Sequence, residues 1–168
     1  MMSGESDDDY DAYFRRMFPR AVAVARRVTV DDARAKDAAQ IAFERAYSRW
    51  PRIRLLEWRD AWVLRVTINE AIRQTRPLPL APPIQPASDE TDLVDLRHSL
   101  VEALQRLPRR QREAVTLRYL TDLSEIEVAN VLEISRGSVK THLHRGLAAL
   151  RGDAFGLVTR EVLDANPL

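Results

Sequence analysis

The stretch RPLPLAPPIQP, residues 76–86, places five prolines in eleven residues. Each proline fixes φ and removes a backbone donor, so the stretch cannot continue a helix or sit inside a sheet. It divides the 168-residue chain into two parts, each of small-domain size. With the acids that follow (Asp89, Glu90, Asp92, Asp95), it reads as an extended, semi-rigid linker over 77–95.

Both flanking parts are patterned as helices. Glycine occurs only five times while Ala, Leu, Arg and Glu dominate, which favours long helices over sheet. Tyr10, Tyr13, Phe14, Met17, Phe18, Val22 and Ala25 recur at three- and four-residue spacing and predict an amphipathic helix over 9–28, with Pro19 inside it. Asp31 or Asp32 caps a second helix, which carries Ile41, Phe43, Tyr47 and Trp50 and ends before Pro51. A third runs from 58 to 76 and buries Trp62, Val66 and Ala71. Beyond the linker, Leu96, Leu100, Leu104 and Leu107 set another stripe, Pro108 restarts a helix over 109–120, and Ser124-Glu125-Ile126-Glu127 has the form of a capping box. The expected fold is therefore all-α. A flexible acidic start over 1–9 precedes a helical domain over 10–76; after the linker comes a second domain over 96–151, then a tail over 152–168.

Composition removes several function classes. No apolar run approaches the ~18 residues a membrane span requires, and the acidic, polar start is unlike a secretory signal. Without cysteine there is no disulfide framework and no zinc finger. His142 and His144 lie two residues apart on a helix, diverging by about 200°, so they do not share an ion. No glycine-rich phosphate loop, nucleophile elbow or paired carboxylates appear. The expectation is a cytoplasmic protein that is not an enzyme, has no cofactor and no metal, and does not insert into a membrane.

Net charge is only +1, but it is unevenly placed. Residues 1–14 hold five acids and no base, whereas residues 134–151 hold Arg136, Lys140, Arg145 and Arg151 and no acid. That basic segment closes a helix-turn-helix pattern: SEIEVANVL, the turn EIS, then RGSVKTHLHRGLAAL, with Ser135 placed to cap the second helix. Ala129 is small enough for a close crossing of the two helices. At 100° per residue Val139, Leu143, Leu147 and Leu150 share the inner face. Ser138, Thr141, His144 and Arg145 then point outward, with Lys140 and His142 on the flanks and Arg136 at the capped amino end. Donors and cations without a carboxylate suit a major groove and its phosphates.

Residues 107–151, LPRRQREAVTLRYLTDLSEIEVANVLEISRGSVKTHLHRGLAALR, resemble the fourth conserved region of the extracytoplasmic-function group of bacterial RNA polymerase sigma factors. A fainter resemblance covers 10–76. The resemblance implies a promoter-specificity subunit whose partners are core RNA polymerase and promoter DNA, with an anti-sigma protein as an admissible further partner. It assigns Lys140, Thr141, His144 and Arg145 to the minus-thirty-five element, with Arg136, Ser138 and His142 nearby. KDAAQIAFERAY resembles the polymerase-binding helix, which implies core contacts at Asp37, Gln40, Phe43 and Arg45. AWVLRVTINEAIR resembles the minus-ten helix, which implies promoter contacts at Trp62, Arg65, Asn69 and Arg73. Three positions depart from the family pattern: Ile41 stands where an acidic or polar residue is common, Ile68 replaces a frequent Arg, and Glu133 occupies a turn position where Gly is common.

Other readings stand beside these. Phe43, Tyr47 and Trp50 fit core packing at helical spacing, and Trp58 and Trp62 fit core anchors better than base platforms. The whole chain could alternatively be a stand-alone helix-turn-helix regulator, or a helical interaction module with degenerate promoter function.

Overall fold

The computed structural model describes residues 3–29, 31–75 and 89–152. Among them are eight helices and no strand: α1 (Ser3–Ala25), α2 (Asp32–Tyr47), α3 (Trp50–Ile53), α4 (Arg59–Gln74), α5 (Asp89–Arg106), α6 (Arg109–Tyr119), α7 (Glu125–Leu132) and α8 (Arg136–Gly152). The Pro-rich stretch over 76–88 and the tail after 152 lie outside the described residues.

Helices α1, α2 and α4 pack on one another to form the first unit. Alanine makes this possible: Ala35, Ala38, Ala39, Ala42 and Ala46 are all buried on α2, so its backbone approaches its neighbours closely. The larger volume comes from α1 and from Phe43 and Trp50. Phe14 meets Phe43 edge-on at 5.0 Å between ring centroids, and Tyr13 meets Trp50 at 4.9 Å. Asp31 caps α2 by accepting from the Arg34 backbone N–H at 2.8 Å.

Helices α6, α7 and α8 form the core of the second unit. Ser124 and Glu127 make the reciprocal capping box that starts α7. That helix ends at Glu133, which takes the left-handed conformation at φ 55° and ψ 46°, a position where a Cβ is costly and glycine is favoured. Ser135 then accepts from the Ser138 backbone N–H at 3.1 Å at the start of α8. Ala129 is buried as expected, but a second small residue is needed elsewhere. At Gly146, a Cβ would lie 2.8 Å from Val115 Cγ2, so the α6–α8 crossing admits only glycine without a shift.

Three boundaries differ from the sequence expectation. Helix α1 begins at Ser3, inside the segment expected to be a flexible end, and α5 begins at Asp89, inside the expected linker. The acids at 89, 90 and 92 read as a solvated spacer, yet acids are also favoured in a first helical turn. Helix α2 stops at Tyr47, and Pro51 does not end it: the proline sits in the first turn of α3, where its missing N–H has no helical partner to lose.

The two units also touch directly. Helix α4 packs against α6 and α7, a contact the sequence pattern did not reveal.

Candidate nucleic-acid interface

On α8, Val139, Leu143 and Leu150 are buried and Leu147 is half-buried, fixing the helix by its inner face. Lys140, Thr141, His144 and Arg145 are exposed on the other side. Thr141 Oγ1 donates to the Gly137 carbonyl at 3.0 Å, so its hydroxyl is held close to the backbone. Ser138 is half-buried and shares a 2.9 Å hydrogen bond with Ser135. Arg136 is exposed and lies 3.8 Å from Glu125 of α7, so this end of the face does carry a carboxylate nearby. His142, on the flank of the helical wheel, is half-buried, with Nδ1 buried. The exposed row is thus Lys140, Thr141, His144 and Arg145, with Ser138 and His142 half-buried at its margin.

The corresponding residues of α4 are placed otherwise. Trp62 is half-buried against the first unit's core, as the core-anchor reading expected. Arg65 Nη2 donates to Glu113 Oε1 of α6 at 2.9 Å, and its Nη1 donates to the Val131 carbonyl of α7 at 3.0 Å. Arg73 is exposed but pairs with Glu70 one turn back, and Arg45 of α2 reaches the same carboxylate at 3.3 Å. Hydrogen bonding from Arg73 is the main reason the buried Glu70 carboxyl is held below its ordinary range. Asn69 lines an open cleft of about 400 Å³ between the units, together with Arg73, Gln105, Arg109 and Arg112.

On α2, Asp37 and Gln40 are exposed and Arg45 is tied to Glu70. Phe43 is only 1% exposed and packs among the aromatics of α1, in line with the core-packing reading. Tyr47, expected in the core, is instead 51% exposed. It borders an open groove of about 620 Å³ that also involves Tyr10, Phe14, Phe18, Gln40 and Glu44. Tyr10 donates from its hydroxyl to the Phe43 carbonyl at 2.7 Å, and burial pushes its pKa up to about 12. The groove was missed in the sequence because one helical stripe supplied both the core and its rim.

Family models match both halves: Sigma-70 region 2 over residues 13–77 and Sigma-70, region 4 over residues 97–150. An RNA polymerase sigma-E factor of Streptomyces coelicolor is 36% identical over 166 residues, covering 95% of this chain and 92% of that protein. The ECF RNA polymerase sigma factor SigW of Bacillus subtilis is 29% identical over 138 residues, covering 70% of this chain and 73% of that one. Among solved structures, the sigma factor RpoE of Bartonella quintana, in complex with the anti-sigma factor NepR, superposes with a TM-score of 0.55 at 21% identity. That match covers 95% of this chain and 99% of that one, a likeness of fold.

Proposed function

The chain belongs to the sigma-70 family of RNA polymerase sigma factors, in its extracytoplasmic-function group, and from that membership we propose a division of labour between its two helical units. The protein directs core RNA polymerase to promoters. Helix α8 enters the major groove at the minus-thirty-five element, with Lys140, Thr141, His144 and Arg145 reading bases and phosphates and Arg136 and Ser138 at the phosphate-facing start. Helix α4 engages the minus-ten element through Arg65, Asn69 and Arg73, with Trp62 bracing it from beneath. Asp37, Gln40 and the aromatic groove beside them form the core-polymerase face. RNA synthesis itself belongs to the polymerase, which places the protein's work in the cytoplasm.

The observation that carries this reading is the exposed row on α8, held outward by buried Val139, Leu143 and Leu150 in a chain that also matches region 2. Both regions in one chain leave the stand-alone regulator and the interaction module without support. The complex of RpoE with NepR supports an anti-sigma protein as a further partner. Among the described residues no helix is long and apolar enough to cross a membrane.

Run-off transcription with purified core polymerase on a promoter library tests the reading. Specific initiation is expected. Absence of both initiation and core binding would overturn it.

A further inference from the structure

Arg65, Arg73, Arg109, Arg110 and Arg112 gather beside two buried carboxylates, both of them shared. Glu113, its side chain 2% exposed, lies 2.9 Å from Arg65 and 3.4 Å from each of Arg109 and Arg110. Glu70, 4% exposed, is taken by Arg73 and by Arg45 of α2. Arg112 meets no carboxylate among the described residues; its Nη1 donates to the Gln105 and Leu107 carbonyls at 3.4 and 3.3 Å. A guanidinium has five donors, so these carbonyls use only part of its capacity. Five cations against two anions leave an excess of three positive charges here, in a chain whose net charge is +1.

The excess stands where it is electrostatically unfavourable. Helix α6 opens with Arg109 and Arg110, has no acid in its first turn, and has no side-chain cap at Pro108. A helix start carries partial positive charge, so cations there oppose the field unless an anion joins them. Room for one exists: Arg73, Arg109 and Arg112 line the cleft of about 400 Å³, together with Asn69, Ile72 and Gln105. That volume falls within the range of about 300–1,000 Å³ typical of small-molecule sites. Ile72 gives an apolar wall, and Gln105 Nε2 donates to the Ile72 carbonyl at 3.0 Å, which fixes its carboxamide at the cleft. Glu113 also borders the cleft, but three guanidiniums already offset its charge.

We propose that this cleft is a binding site for a small ligand bearing a diphosphate group, held by Arg73 from α4 and by Arg109 and Arg112 from α6. Arginine forks match phosphate oxygens in paired hydrogen bonds. A single phosphate carries about −1.5 to −2 charges, short of the local excess, whereas two joined phosphates match it. The Asn69 and Gln105 carboxamides beside the arginines suit the base or sugar of a nucleoside diphosphate. Asn69 and Arg73 also carry the proposed minus-ten role, so a bound diphosphate takes the place of a promoter phosphate there. The binding site itself does not depend on that role.

Isothermal titration calorimetry of the full chain tests the site without polymerase or promoter, so its failure leaves the promoter reading intact. Pyrophosphate, guanosine diphosphate, adenosine diphosphate and inorganic phosphate are titrated separately at about 0.15 M ionic strength, where diffuse attraction is screened. Saturable one-to-one binding is expected for the diphosphates, at least about tenfold tighter than for inorganic phosphate. Arg109→Ala and Arg112→Ala should each weaken it by about tenfold or more, while Arg20→Ala, which removes an exposed charge outside the cleft, should not. Arg109→Glu, at a side chain 73% exposed, gives the same reading should Arg112→Ala fail to fold. A nucleoside diphosphate that binds more tightly than pyrophosphate, with the gain lost in Asn69→Ala, supports a nucleotide as the ligand. Equal affinities support the free diphosphate. No saturable binding, equal binding of inorganic phosphate, or the same loss in Arg20→Ala as in Arg109→Ala overturns the site.

Discussion

Helices α4 and α8 carry similar chemistry in opposite states. Both present arginines and small polar residues opposite a buried apolar face, yet α8 leaves Lys140, His144 and Arg145 exposed, while α4 has Arg65 bound to α6 and α7 and Arg73 bound to Glu70. The difference lies in their neighbours. Helix α8 packs on α6 and α7 by one face and nothing described covers the other, whereas α4 is packed from both sides, by α1 and α2 and by the second unit. The same residue types are thus left open on one helix and engaged on the other by what packs against them.

Five substitutions or conditions break or sharpen this contrast. The largest effect should come from Leu143→Asp, which puts a charge on the buried face that holds α8 outward. A cost of about 3–5 kcal/mol is expected, seen as loss of the second unit's helices in circular dichroism while the first unit persists. A folded Leu143→Asp protein would contradict the packing described for α8. Gly146→Ala should come next, at about 1–3 kcal/mol, because its Cβ meets Val115 Cγ2 at 2.8 Å. Thermal denaturation measures it, and an unchanged midpoint would mean α6 and α8 separate freely.

Lys140→Ala and Arg145→Ala should leave the melting temperature nearly unchanged and weaken upstream promoter recognition, each by about 1–2 kcal/mol in competition binding of the holoenzyme. Lost helicity without a selective DNA defect would reverse the assignment of the face. The smallest effect concerns pH. Because Arg73 and Arg45 hold the Glu70 carboxyl below its unfolded value of about 4.3, the stabilisation is present above that pH and is lost as pH falls through the folded value. Acid titration of stability should be flatter in Glu70→Gln than in the parent chain; parallel curves would show that the pairing contributes nothing.

Local chemistry was legible in the sequence wherever it acts through near neighbours. The capping box at Ser124, the Asp31 cap, the turn at Glu133 and the inner face of α8 all follow from residues within a few positions of each other. Pro51 marked a boundary correctly but its role was misread, since proline serves a helix start as well as a stop. Phe43 and Tyr47 show the limit of periodicity: four residues apart on α2, they lie on the same side of the helix, one among the α1 aromatics and the other at the groove's edge. The Arg65–Glu113 pair joins residues 48 positions apart and leaves no periodic trace. Gly146 carried a signal that was overlooked, a glycine placed midway between the apolar Leu143 and Leu150 on the inner face.

Hydroxyl-radical footprinting of the holoenzyme on a selected promoter tests the division between the two units most directly. The account predicts protection at both elements with the parent chain. With Lys140→Ala and Arg145→Ala combined, it predicts loss of upstream protection and retention of downstream protection on a forked template. Unchanged protection upstream, or selective loss downstream, would contradict it.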